Sequence, residues 1–174
     1  GRAKLAAISP SAAFGWKIID GRAGWMNKLK LRLSYGETGQ QDIGADYYPY
    51  LARYQSSLPT ADYQFGDDFY TTIRPNGYDA NIKWEQTSTY NVGLDYEILN
   101  GRVYGSAEYY IRKTTDLINF IPVAAGTNLT NFITTNVGDL ENRGVELSIN
   151  TIPVQSSKLT WELGANFTAN RNKI

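Results

Sequence analysis

Residues 28–36 read KLKLRLSYG, and the alternation is unbroken: Leu29, Leu31, Leu33 and Tyr35 interleave with Lys28, Lys30, Arg32 and Ser34. A period of two places successive side chains on opposite faces of an extended strand, so one face is oily and the other cationic. No helix tolerates that pattern, because a helical face repeats every three to four residues. The fold question therefore reduces to what covers the oily face, a protein interior or lipid.

The same period recurs along the chain. Phe14, Trp16 and Ile18 share a face near residues 13–19. In WEQTSTYNVGLDYE, Trp84, Tyr90, Val92, Leu94 and Tyr96 fall on one side, and Glu85, Thr87, Thr89, Asn91 and Asp95 on the other. Asn100-Gly101 is a strong hairpin signal. It is followed by RVYGSAEYYIRK, with Val103, Ala107, Tyr109 and Ile111 on one face. Pairing across that turn brings Glu97 to Arg102 or Tyr104, and Gly105 and Ala107 beside Leu94 and Val92, with a shift of two leaving the faces unchanged. Val145, Leu147 and Ile149 continue the pattern, as do Leu159, Trp161, Leu163, Ala165 and Phe167.

The reading is all-β: an antiparallel up-and-down meander of about six strands, near residues 13–19, 28–36, 84–97, 102–113, 137–150 and 159–170. All six prolines fall outside these runs, where a sheet interior would reject them. Short links at residues 20–27, 98–101 and 151–158 alternate with long ones at 38–83 and 114–136. Short turns at one end and long loops at the other are the layout of an outer-membrane barrel. Trp16, Trp84, Trp161, Tyr35 and Tyr96 lie near strand ends, where amphipathic aromatics form membrane-interface girdles. The opposite faces carry Lys28, Lys30, Arg32, Asp95, Glu108, Arg112, Glu146 and Glu162, too many charges to bury dry. A wet lumen or a plug suits them, and Lys30, Arg32, Glu108, Arg112 and Glu146 are expected to form a cross-strand ionic lattice or to hold a plug. A soluble antiparallel sheet with one solvated face gives the same alternation. A β-sandwich or adhesin-like module binding glycans through Tyr-rich loops is therefore the competing reading.

Composition removes whole classes of chemistry. The 174 residues contain neither Cys nor His, which rules out disulfides, thiol nucleophiles and His-ligated metals. Seventeen basic residues balance seventeen acidic ones, against the basic excess of a nucleic-acid binder. Asp67-Asp68, in FGDDFY, reads as a solvated loop pair rather than as glycosidase carboxylates. No catalytic group, cofactor or metal is expected, and the chain is not read as an enzyme. The long loop at 38–83 instead holds Tyr47, Tyr48, Tyr50, Tyr54, Tyr63, Phe65, Phe69, Tyr70 and Tyr78. Tyr faces stack on sugars while their hydroxyls hydrogen-bond. Tyr47, Tyr48, Tyr50, Tyr54, Tyr63, Phe69 and Tyr70 are the candidate substrate- or partner-binding residues, with packing against neighbours as the simpler role. The second loop, FIPVAAGTNLTNF, is apolar enough to contact a plug, a cap or substrate.

NIKWEQTSTYNVGLDYEILNGRVYGSAEYYIRKTTDLI, TNVGDLENRGVEL, LKLRLSYGETGQQ and the closing WELGANFTANRNKI resemble, in that order-specific combination, the SusC-like branch of TonB-dependent outer-membrane transporters. The resemblance covers nearly the whole chain. It implies a segment of a large plugged transmembrane β-barrel in the outer membrane of a Gram-negative, Bacteroidetes-type bacterium. It further implies import of glycans or peptides, a SusD-like surface lipoprotein as cap, and energising by TonB through parts outside this stretch. By that reading, residues 38–83 and 114–136 are extracellular, and the chain, whose only Met is Met26, is a piece of a longer protein without its plug domain.

Overall fold

The computed structural model describes residues 8–40, 50–124 and 130–174. In chain order the strands are β1 (Ser11–Ala23), β2 (Met26–Gln40), β3 (Tyr54–Ser56), β4 (Tyr63–Phe65), β5 (Asp68–Tyr70), β6 (Ile73–Pro75), β7 (Glu85–Ile98), β8 (Val103–Thr115), β9 (Ile118–Pro122), β10 (Phe132–Asn136), β11 (Leu140–Gln155) and β12 (Thr160–Lys173). A single 3-10 turn at Pro59–Ala61 is the only helical element among the described residues. The chain divides into two compact units, each described separately: residues 8–39, 86–115 and 139–174 form the large sheet, and residues 40–85 and 116–138 the connecting segments.

The large sheet is a six-stranded antiparallel meander in the order β1-β2-β7-β8-β11-β12. Its register puts apolar residues against apolar residues: Phe14 faces Leu33 and Trp16 faces Leu31. Val92 faces Tyr109 and Leu94 faces Ala107. Leu147 faces Ala107 on one side and Phe167 on the other. Directly opposite residues of an antiparallel pair share a face, so the oily face is continuous across all six strands. From Val103 to Ile111 it runs about 26 Å along β8 at the usual rise per residue, or about 20 Å of membrane thickness at a strand tilt of about 40°.

Nothing seals that face. Among the described residues there is no buried hydrophobic side chain: Val92 is 46 %, Leu147 44 % and Leu163 46 % exposed. A soluble sandwich of this size has to bury such residues against a second layer. The sandwich reading therefore fails on the very residues that would have formed its core.

Several local expectations need correction. The strands run further than the sequence suggested, to Ser11 and Ala23 in β1 and to Gln155 in β11. Trp16 consequently lies mid-strand, not at a girdle, and Trp84 precedes β7. A bulge between Lys17 and Ile19 makes Ile19, not Ile18, the partner of Leu29. Pro153 lies inside β11, at the register shift between Thr151 and Val154. A bulge leaves an unpaired position that needs no N–H donor, so proline fits there. Pro75 and Pro122 end the short strands β6 and β9.

At Asn100-Gly101 both residues take the positive φ the turn requires (58° and 81°), and Arg102 N–H donates to Leu99 O at 3.3 Å. Leu99 is also at φ 53°, so the ladder begins one pair further out, at Ile98 and Val103. The two-residue Asn100-Gly101 turn sets Glu97 opposite Tyr104, Gly105 opposite Tyr96 and Ala107 opposite Leu94, the last two being two positions from the pairing first drawn. The Leu99 N–H donates to Trp25 O at 2.9 Å, which ties this turn to the β1–β2 turn.

The connecting segments, expected only as loops, carry three small antiparallel sheets: β3 with β6, β4 with β5, and β9 with β10. Their strands are three to five residues long, too short for alternation to reveal them in sequence.

Candidate functional site

Two groupings of polar side chains stand out, one in each unit. On the polar face of the large sheet, Arg32 reaches across Gly93 to two carboxylates. Its Nε donates to Asp95 Oδ2 at 2.8 Å and its Nη2 to Asp95 Oδ1 at 2.9 Å, a bidentate pair. The same Nη2 donates to Glu108 Oε1 at 2.5 Å, and Asn91 Nδ2 donates to Glu108 Oε2 at 3.2 Å. Gly93 eases this crossing: a Cβ at that position would lie 3.0 to 3.5 Å from the guanidinium atoms, and the Arg32 side chain would have to give way slightly. Lys28 pairs with Glu97 at 3.8 Å, and Tyr104 donates to Glu162.

Of the five charges expected to form a lattice, only Arg32 and Glu108 meet. Lys30, Arg112 and Glu146 take part in no ion pair among the described residues, and Glu146 stands directly opposite Glu108. The arrangement is a local triad centred on one guanidinium rather than a lattice. Arg32, Asp95 and Glu108 side chains are 35 %, 33 % and 25 % exposed, so water screens the pairing and each contact is worth well below a buried ion pair. Arg32→Leu, which leaves two neighbouring carboxylates without their cation, is expected to destabilise the folded barrel by about 1 to 2 kcal/mol, as read by urea unfolding in bilayers. Adding Asp95→Asn should recover part of that loss.

In the connecting unit, a cleft of about 440 Å³ is lined by Arg53, Gln55, Arg74, Asn76, Phe120 and Thr134, among others. The β3–β6 ladder sets Gln55 opposite Arg74. Matching donors to acceptors turns the Gln55 amide oxygen toward Arg74 Nε and Nη2 (2.9 and 2.8 Å) and its nitrogen toward Asn76 Oδ1 at 3.1 Å. The β9–β10 ladder sets Phe132 opposite Pro122, and the Phe120 and Phe132 rings stack at 4.9 Å between centroids with planes 17° apart. Gly77 passes so close to the Phe132 carbonyl that a Cβ would come within 2.6 Å of it. Thr135 Oγ1 donates to Asp79 Oδ2 at 2.5 Å, and Asn136 Nδ2 donates to the Lys83 and Asp116 carbonyls at 3.0 and 2.6 Å. The cleft thus offers two guanidiniums, amides, two threonine hydroxyls and aromatic rings: donors and acceptors beside flat apolar surface, with no carboxylate in its lining.

The candidate aromatics are scattered. Tyr47 and Tyr48 lie outside the described residues. Tyr50 immediately precedes the cleft residue Leu51. Tyr54 is on β3, and period two sets it on the strand face opposite Arg53 and Gln55. Tyr63 and Tyr70 stand directly opposite one another on the β4–β5 hairpin, with Phe69 opposite Gln64 on its other face; all three rings are exposed. The structure pairs Tyr63 with Tyr70 and brings none of Tyr54, Tyr63, Phe69 and Tyr70 into the cleft. The rings that do line it, Phe120 and Phe132, come from the second loop. Sequence reasoning passed over Arg53, Arg74, Gln55 and Asn76, because no spacing marks polar residues that converge only once β3 and β6 pair.

A family model described as "TonB dependent receptor-like, beta-barrel" matches residues 2–173. The chain is 46 % identical over 169 residues to the TonB-dependent receptor SusC of Bacteroides thetaiotaomicron, covering 95 % of this chain and 17 % of SusC. It is 33 % identical over 175 residues to the TonB-dependent receptor P39 of Formosa agariphila, covering 95 % of this chain and 15 % of P39. A solved structure of the RagAB peptide importer in its "closed-closed" state superposes with a TM-score of 0.74 at 27 % identity, over 93 % of this chain and 17 % of that one. The chain spans about a sixth of the length of the relatives it matches. An open six-stranded meander with one unsealed apolar face and one charged face, matched end to end by this family, identifies the chain as a SusC-like member of the TonB-dependent receptor β-barrel family.

Proposed function

We propose that this chain forms part of the wall and surface loops of an outer-membrane importer that takes up glycans or peptides, with energy from TonB and a SusD-like lipoprotein as partner. The observation that carries the reading is the continuous apolar face with no interior behind it. In lipid such a face is buried, and the inner strands β2, β7, β8 and β11 have a neighbour on both sides to satisfy their N–H and C=O groups. The charged face, with its Arg32 triad, then looks into a wet lumen or against a plug. Both long connections leave the end of the sheet that holds Gln40, Glu85, Thr115 and Leu140, and in this reading that end faces outward from the cell. The cleft between Arg74 and the stacked Phe120 and Phe132 is placed to hold a polar chain with flat or apolar faces, which describes both an oligosaccharide and a peptide.

Cells lacking the full-length receptor should fail to grow on one oligosaccharide or peptide source from a defined panel, and cells lacking TonB should fail on the same source. Growth on every source independent of either component overturns the importer reading. Phe120→Ala in the full-length receptor is expected to weaken binding of that source about tenfold, from loss of ring contact. Unchanged affinity removes the cleft from the proposal.

A further inference from the structure

One feature of the apolar face is not explained by a lipid-facing wall. At the end of the sheet that carries the long connections, the positions that should continue the oily stripe are charged. Glu141 stands between Lys113 on β8 and Lys173 on β12. One row closer to the oily band, Arg143 stands directly opposite Arg171 on β12 and Ile111 on β8. The next row is apolar again, Tyr109, Val145 and Ala169. Parity puts all five charged residues on the same face as Leu147 and Phe167.

Four cations therefore meet a single carboxylate. Glu141 is shared by Lys113, at 3.5 Å, and Arg143. Arg171 and Lys173 have no ion pair among the described residues and are exposed on β12. Two arginines opposite each other on adjacent strands repel, with Cβ atoms about 5 Å apart. Of the two, the Glu141 carboxylate answers Arg143 alone, and an anion lying between the two guanidiniums would relieve the remaining repulsion. Their forked donors match the oxygens of a phosphate. The row lies at the outward margin of the hydrocarbon-facing band, where Ile111 is the last apolar residue on β8, and that margin is the depth of lipid headgroups.

The geometry points to a binding site for the phosphate of an anionic glycolipid in the outward leaflet, clamped by Arg143 and Arg171 with Lys113 and Lys173 at its rim. The inference rests on the outer-membrane reading above. In this arrangement the glycolipid's acyl chains lie along Val145, Leu147 and Phe167 while its phosphate neutralises the arginine pair. The occupant follows from charge complementarity and from continuity with the apolar face, which a soluble anion would not use.

The test uses the full-length receptor in detergent micelles, with phosphorylated lipid A, dephosphorylated lipid A and inorganic phosphate as probes, read by native mass spectrometry. Wild type should bind phosphorylated lipid A, and the Arg143→Gln/Arg171→Gln double variant about 30-fold more weakly, the factor expected from two cations near a charged headgroup. Dephosphorylated lipid A should bind both proteins equally weakly, and millimolar inorganic phosphate should not displace the lipid. Lys173→Gln, at an exposed strand end, provides a second reading of a severalfold loss should the double variant fail to fold. Arg112→Gln, on the opposite face, should bind like wild type. Equal binding by wild type and the folded variants overturns the inference, as does indifference to the lipid's phosphate or full displacement by inorganic phosphate. Each of those results leaves the barrel reading intact. A wild-type receptor that shows no heat-modifiable, membrane-inserted form overturns the barrel reading itself.

Discussion

Leu147→Arg in the full-length receptor is expected to destabilise the membrane-inserted protein by about 2 to 4 kcal/mol, the cost of a lipid-facing arginine near the bilayer midplane. Leu147 sits at the centre of the oily face, with Ala107 on one flank and Phe167 on the other. It is 44 % exposed, so an arginine there meets no steric obstacle and no carboxylate. The entire effect comes from transferring a charge into hydrocarbon. Ser148→Arg, one residue away on the polar face, serves as the control and should cost well under half as much. Urea titrations in lipid vesicles distinguish the two. Equal, small effects at both positions would mean that lipid does not cover this face.

Gly105→Ala is expected to cost about 3 kcal/mol, the upper end for overpacking, or to prevent the β8–β11 ladder from forming. A Cβ at Gly105 would run into the carbonyl of Ser148, a backbone atom that cannot swing aside. It would also lie 2.8 Å from the Tyr96 hydroxyl. That ring extends over Gly105, and its hydroxyl donates to the Ser148 carbonyl at 3.3 Å. Glycine thus leaves the channel through which Tyr96 on β7 reaches β11, spanning the strand between them. Tyr96→Phe/Gly105→Ala is not expected to rescue, because the backbone collision remains. Folding yield of the full-length receptor, scored by heat-modifiable mobility, is the measurement; wild-type yield for Gly105→Ala would refute the close approach.

The six long strands were legible because face assignment depends only on whether a residue number is odd or even, and Leu29 to Tyr35 or Val145 to Ile149 state that directly. Register was not legible, since a slip of two residues keeps every face. What fixes it at the second hairpin is the two-residue Asn100-Gly101 turn, which sets Leu99 opposite Arg102 and therefore Ile98 opposite Val103. Bulges escaped for the same reason: Ile18 and Ile19 are both apolar, so the sequence does not say which one steps out of line. The cleft escaped sequence reasoning altogether. Its walls come from β3, β6, β9 and β10, segments of three to five residues whose pairing partners lie up to about twenty residues away. Arg74 becomes a cleft residue only through its partner Gln55, and no local pattern encodes that meeting.

The alternation of tight turns and long connections also dictates an order of assembly. β1 and β2 are joined by two residues, β7 and β8 by four, and β11 and β12 by four, so each of these pairs closes locally and fast. Joining β2 to β7 instead means bringing Gln40 to Glu85, which carries a larger loop-closure entropy. The β9–β10 ladder, where Asn136 meets Ile118, pre-shortens the gap between β8 and β11. The chain is therefore best regarded as three prefabricated hairpins, the last two spliced by a zipper of their own. The slow step in building this stretch of wall is the docking of the first hairpin onto the second.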